Sequence, residues 1–137
     1  MLQKTFLSAI SIAIFFSLAC TDVLARHHQR VEVQIGKSAT EQRSKVKVEF
    51  LEVIEDSRCP ADVNCIWAGN AKIKIRVTKN GKSEVIELNS GMMNKDNAFG
   101  GYTFLLENLT PKPISDKQID KSSYVATIMM SREKKPA

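Results

Sequence analysis

Ala71-Lys72-Ile73-Lys74-Ile75-Arg76-Val77-Thr78-Lys79-Asn80-Gly81-Lys82-Ser83-Glu84-Val85-Ile86-Glu87-Leu88 reads as a β-hairpin from residue types alone. Successive side chains of an extended chain point in opposite directions, so Ala71, Ile73, Ile75 and Val77 share one face, and Lys72, Lys74, Arg76 and Thr78 the other. An apolar face backed by a charged one predicts a half-buried antiparallel strand. Asn80-Gly81 supplies the two-residue turn, because a type I′ turn needs positive φ at both central positions and these residues tolerate it. Residues 83–88 are expected to return beside the first strand.

The same alternation recurs on both sides of the hairpin. Val31, Val33 and Ile35 alternate with polar residues, as do Val46, Val48 and Phe50, which predicts two further strands. After Phe50 the apolar positions change parity to Leu51 and Val53, which predicts a β-bulge. Residues 90–101 are rich in Gly, Asn and Lys and read as a long mobile loop, followed by a strand from Tyr102 to Leu106. Leu109-Thr110-Pro111-Lys112-Pro113 is expected to interrupt the pairing. Tyr124 through Ser131 alternates again, with Tyr124, Ala126, Ile128 and Met130 on one face. Six to seven short strands and no convincing helix beyond the N-terminus predict an all-β domain, either a small antiparallel β-sandwich or an open barrel.

The first 25 residues have a different character. Lys4 precedes an apolar run from Phe6 through Ala19, short for a membrane span and typical of a cleavable signal peptide. Cleavage after Val23-Leu24-Ala25 would leave residues 26–137 as one β-rich domain with a short flexible basic tail, Arg132-Glu133-Lys134-Lys135. Ser17-Leu18-Ala19-Cys20 resembles a lipobox with an imperfect first residue, so lipidation of Cys20 is the alternative. Both routes predict an exported protein, periplasmic or extracellular, and membrane contact only through an envelope anchor at Cys20. The net charge is +5, from 20 basic and 15 acidic side chains. Removing residues 1–25 takes away one of each, Lys4 and Asp22, and leaves the balance unchanged. This mild excess alternates in sign along the strands, as on a solvated surface, and gives no reason to expect nucleic acid as a partner.

Between the predicted strands, Asp56-Ser57-Arg58-Cys59-Pro60-Ala61-Asp62-Val63-Asn64-Cys65-Ile66-Trp67-Ala68-Gly69 holds two cysteines and the single tryptophan. With Cys20 discarded or acylated, Cys59 and Cys65 remain as a pair. In an oxidising compartment such a pair reads as a local disulfide rather than a zinc site, which needs about four ligands. Closing so short a loop stabilises by roughly 2 kcal/mol in the chain-entropy account. The segment resembles a motif of uncharacterised small bacterial exported proteins and lipoproteins: an acidic residue with Ser-Arg-Cys-Pro, here Asp56 to Pro60, then Cys65 and Trp67-Ala68-Gly69. Gly101-Tyr102, the Leu109-to-Pro113 segment and Tyr124-Val125-Ala126 match later landmarks, so the resemblance spans most of residues 46–130. It implies export and a β-rich fold, and carries no established activity.

For catalysis the residues offer little. The only histidines, His27 and His28, stand at the start of the mature chain, so no Ser-His-Asp or Cys-His site is expected. The pairs Glu52 with Asp56 and Glu55 with Asp62 leave a carboxylate-dependent hydrolase as the enzyme alternative. No phosphate-cradling glycine pattern is present, and no cofactor is expected. Arg58 beside a disulfide-bounded, proline-containing segment suggests a rigid loop that presents a basic residue to a trypsin-like protease. In the plainer reading, Asp56 and Arg58 hold the loop by a salt bridge while Trp67 caps the core. Cleavage after Ala25 would leave Arg26-His27-His28, whose free amine, backbone nitrogens and third-position imidazole suit Cu(II) or Ni(II). Met92-Met93 and Met129-Met130 read as gap-fillers. Trp67, Tyr102, Phe104 and Tyr124 would either pack in the core or line a groove. The expectation is a non-enzymatic, monomeric binding module for an unknown protein or small ligand. It would act through the 56–69 loop, with Asp56, Arg58, Asp62 and Trp67 as candidate residues, and through the 90–101 loop.

Overall fold

The hairpin forms as read, from β4 (Ala71–Lys79) and β5 (Lys82–Asn89), with Asn80 and Gly81 at φ 52° and 76° in the turn. The computed structural model describes residues 28–90 and 97–134. Around the hairpin lie β1 (Gln29–Gln34), β2 (Ser38–Thr40), β3 (Lys47–Asp56), β6 (Ala98–Phe99), β7 (Tyr102–Thr110) and β8 (Val125–Arg132). They form two four-stranded antiparallel sheets, in the orders β1-β8-β7-β6 and β2-β3-β4-β5, packed together as a β-sandwich. The sandwich therefore replaces the open barrel. The strands number eight rather than six or seven, because β2 and β6, at three and two residues, are too short for alternation to show in sequence.

The inward rows meet the prediction closely. Val48 and Phe50 of β3, Ile73, Ile75 and Val77 of β4, Phe104 of β7, and Ala126, Ile128 and Met130 of β8 are all fully buried. Two stretches differ from expectation. β7 runs on past Leu106 to Thr110, because a bulge between Leu106 and Asn108 shifts the parity and returns Leu109 to the core. Pairing ends only at Pro111, which lacks the N–H to continue it. The 90–101 segment, read as a loop, ends in structure: Asn97 is buried, and Ala98 and Phe99 pair with Thr103 and Tyr102. Its residues 91–96, with Met92-Met93, lie outside the described residues, as do residues 1–25, read above as a signal peptide, with Cys20 among them, and His27. Arg132 belongs to β8, so the basic tail is shorter than read; residues 135–137 also lie outside the described set.

The parity change after Phe50 is a bulge, and a second follows: the register with β4 shifts between Phe50 and Glu52 and again between Val53 and Glu55. On its other side, among the described residues, backbone pairing covers β3 only at its start. β2 pairs with Lys47–Glu49, and the Gly36-Lys37 turn adds two bonds, Gly36 N–H to Phe50 O (2.8 Å) and Phe50 N–H to Lys37 O (3.1 Å). The outward face of this sheet carries charge in rows. Arg76 bridges Glu49 at 3.0 Å, Lys74 bridges Glu52, and Lys72 bridges Glu87 at 2.6 Å. Such exposed cross-strand pairs each contribute a few tenths of a kcal/mol, and their main effect is on register.

Candidate functional site

The 57–70 loop grows directly out of the β3–β4 ladder. Ser57 N–H donates to Asn70 O (2.8 Å) and Cys59 N–H to Ala68 O (3.0 Å), so the two limbs stay paired beyond the strands. The Cys59–Cys65 disulfide then closes the tip, with Cα atoms 5.9 Å apart. Gly69 sits at φ +71° with its α-carbon against the opposite limb: an added Cβ would lie 1.9 Å from Ser57 O. Only glycine satisfies both conditions. The loop also docks sideways. Ala61 N–H donates to Pro113 O (2.9 Å), and Asp62 Oδ1 accepts from the Ser115 N–H (2.9 Å) and hydroxyl (3.1 Å).

At the base of the loop Arg58 is turned inward. Its Nε donates to Asp56 Oδ1 and its Nη2 to Asp56 Oδ2, both at 2.7 Å, while Nη1 reaches Leu109 O and Nη2 also reaches Pro111 O at 2.9 Å. The Tyr124 hydroxyl donates to Asp56 Oδ2 at 2.9 Å. One fork-to-fork ion pair thus joins the end of β3 to the end of β7 and the start of β8. The side chains of Arg58 and Asp56 are only 15% and 10% exposed. Burial alone would raise the Asp56 carboxyl, but the hydrogen bonds from Arg58 and Tyr124 and the guanidinium charge outweigh it and hold it below the usual carboxylate range. Burial, reinforced by hydrogen bonding to Asp56, pushes the Tyr124 phenol up to about 12.

The raised phenol makes a pH prediction. The fold favours the neutral hydroxyl, so its contribution is complete below the ordinary tyrosine value near 10 and is lost as pH rises from about 10 to about 12. Tyr124→Phe is expected to cost about 1–2 kcal/mol at neutral pH and to flatten that alkaline loss. Urea denaturation of both proteins at pH 7, 9 and 11 checks it. Curves that stay parallel across the series would contradict the assignment.

The predicted site residues separate into two groups. Asp56, Arg58 and Asp62 serve as anchors, facing the protein. A protease-presenting loop needs a projecting basic side chain, and Arg58 does not project. Trp67 does not cap the core: it is 82% exposed, beside Ile66 at 93%, with Val63 at 44% on the same loop. A loop held by its ladder and disulfide has no need of a core contact at its tip, and its geometry points these side chains to solvent. The other three aromatics do not converge on Trp67. Phe104 is buried, Tyr102 pairs with Arg132 at one end of β7, and Tyr124 lies at the other end beside the Val125–Thr110 pair.

The carboxylate pairs are also dispersed among other partners. Glu52 bridges Lys74, Glu55 accepts from the Ser57 hydroxyl (2.8 Å), and Asp62 is held below its usual range chiefly by the Ser115 N–H. A general acid needs the opposite shift. His28 Nδ1 lies 2.9 Å from Ser131 Oγ. Among the described residues no cluster of three or more His, Cys, Asp and Glu side chains is placed to hold a metal ion. The partners that residue types could not reveal were Tyr124 and the two carbonyls above Arg58. Alternation marks Tyr124 only as a core position, and carbonyl acceptors carry no residue signature. The chain matches no family model, no curated protein and no solved structure.

Proposed function

We propose that this chain is an exported, non-enzymatic interaction module that docks a partner protein through the tip of its stapled loop, with Trp67 and Ile66 as the contact residues. The observation that carries the reading is an 82% exposed tryptophan next to a 93% exposed isoleucine on a loop closed by a disulfide and a backbone ladder. Single exposed apolar residues are ordinary, but three within five positions of one constrained loop form a docking feature. A pre-ordered loop loses little conformational entropy on association, and tryptophan is the residue type most enriched among binding hot spots. The signal sequence and the disulfide both support export. Lysine, arginine, serine and tyrosine partners occupy the four carboxylates of the candidate pairs, Glu52, Glu55, Asp56 and Asp62, which supports a non-enzymatic role.

Trp67→Ala is expected to leave unfolding unchanged within about 0.5 kcal/mol, because the side chain touches little of the fold. It should weaken partner binding by about 30-fold or more, the effect of removing a 2 kcal/mol anchor. The chain has a single tryptophan, so its fluorescence reports its own burial. A shift to shorter wavelength on adding the partner recovered from an extracellular or periplasmic extract supports the reading. Bound partner with unshifted emission, and equal binding by Trp67→Ala, would refute it.

A further inference from the structure

We propose that the uncovered edge of β3, from Leu51 to Asp56, takes up an extended segment of a partner protein as an added strand, one in which apolar residues alternate with lysine or arginine. The site is distinct from the loop tip, and the proposal does not depend on it.

The backbone supplies the first argument. In the β3–β4 ladder Phe50, Val53 and Asp56 stand opposite Ile75, Ile73 and Ala71. In antiparallel pairing alternate residues of a strand bond to opposite neighbours. Ala71 bonds towards β5, since its carbonyl accepts from Ser90 N–H at 2.8 Å, and Ile73 and Ile75 share its parity. Their partners on β3 therefore aim N–H and C=O away from β4, as Phe50 shows through its bonds to Lys37 and Gly36. Val53 and Asp56 aim theirs to the same side, where among the described residues no backbone partner meets them. Each bulge inserts one residue, so the outward groups recur every third position rather than every second. That irregular spacing discourages indiscriminate edge pairing while leaving up to four main-chain bonds to a fitting strand.

The second argument is the space beside this edge. A cleft of about 540 Å³ runs along it, bounded on one side by all five residues Glu52 to Asp56. Its apolar lining includes Ile35, Val53 and Ile119, which pack against the core, while the 113–121 segment forms the far wall. The edge spans about 20 Å at the rise of a strand, enough for five or six residues. A walled cleft admits one extended chain.

Charge selects the occupant. The outward row of β3 is acidic, Glu49, Glu52 and Glu55, and the basic row of β4 answers two of the three, Arg76 bridging Glu49 and Lys74 bridging Glu52. Lys72 is committed to Glu87, which leaves Glu55, its cross-strand neighbour, accepting from the Ser57 hydroxyl. A strand laid beside an acidic row gains from basic side chains on that face and apolar ones on the other. Lys117 and Lys121 on the far wall disfavour a uniformly basic segment, so alternation matters. A second copy is the poorer occupant: its own Glu52 and Glu55 would meet the same acidic row, and a whole sheet edge would have to enter past the 113–121 wall.

The test uses the mature chain and fluorescent heptapeptides alternating valine and lysine. Comparators are a valine–glutamate peptide, a peptide with the same residues in blocks, and the alternating peptide N-methylated at every second amide. The alternating lysine peptide is expected to bind, shifting the backbone amide resonances of Val53 and Asp56, and each comparator to bind at least tenfold more weakly. Glu55→Lys should weaken binding by a similar factor while keeping the fold, since the residue is exposed. Trp67→Ala should leave it unchanged, which separates this surface from the loop tip. Equal binding of the N-methylated peptide, resonance shifts centred on residues 63–67, or no binding at millimolar peptide would overturn the proposal. So would Val53 and Asp56 resonances that move with protein concentration alone, which would assign the edge to a second copy.

Discussion

Arg58→Ala is expected to lower the unfolding free energy by about 3 kcal/mol. The substitution removes the donors of four hydrogen bonds, two to the Asp56 carboxylate and one each to the carbonyls of Leu109 and Pro111. What remains is a carboxylate 10% exposed that keeps the Tyr124 hydroxyl and a long bond from the backbone N–H of residue 58 (3.5 Å), together with two carbonyls stripped of the guanidinium. Removing one member of a buried pair costs more than the pair contributes, because the surviving charge is left desolvated. The figure sits at the lower end of the range since the pair borders a cleft that water can enter. Lysine cannot substitute: a point charge does not reproduce a fork that reaches one carboxylate and two carbonyls at once. The pH dependence distinguishes this account from simple loss of packing. In the parent protein the Asp56 carboxyl is held below its ordinary value, so its stabilisation is complete above about pH 4 and is lost as pH falls through the lower folded value. In Arg58→Ala the acid form is no longer disfavoured, and protonation relieves the unpaired charge. The gap between the two proteins should therefore narrow below about pH 4. Chemical denaturation at pH 7 and pH 3.5 measures it, and a gap that is constant or absent would contradict the role given to the pair.

Gly69→Ala should cost about as much, near 3 kcal/mol, from one added carbon. Two separate penalties combine. At φ +71° any L side chain is strained by about 1–2 kcal/mol, and the new Cβ would also lie 1.9 Å from Ser57 O and 2.9 Å from the Arg58 Cα. Those atoms are backbone, so relief requires the two limbs to part, breaking the Ser57–Asn70 and Cys59–Ala68 bonds. Gly81→Ala is the control. Its φ is +76°, but nothing lies within 4 Å of the position a Cβ would take, so only the conformational part of the penalty applies. Thermal melts of both variants should show the larger drop for Gly69, with faster reduction of the Cys59–Cys65 disulfide by added thiol. Equal losses at the two glycines would mean that the close approach in the loop contributes nothing.

The strands were legible wherever period-two alternation ran unbroken for four residues or more, as in β4 and β8. Bulges divided the outcome. The one after Phe50 could be read because both flanking rows are apolar, whereas the one near Glu107 hid the last third of β7, since only Leu109 follows it. The Asp56–Arg58 pair was legible as well, because residues two apart on an extended chain share a face. Its other partners were not: Leu109 and Pro111 lie 51 and 53 positions downstream of Arg58, and no local pattern encodes which carbonyls a sheet crossing will bring there. Trp67 shows the opposite error, an inference from residue type alone. Apolar character predicts burial only on average, and a side chain at the tip of a closed loop follows the loop.

Because Ser57–Asn70 and Cys59–Ala68 fix the limbs and the disulfide closes them, residues 63, 64, 66 and 67 can change identity without disturbing a single core contact. If the loop tip is the docking site proposed above, recognition there and folding are written in different parts of the chain. A lineage could retune what this protein engages by substitution at those four positions, while Gly69, Arg58 and Tyr124 hold the frame constant. A library randomised at those positions would inherit the parent's stability, which makes the sandwich a ready scaffold for selecting new binders.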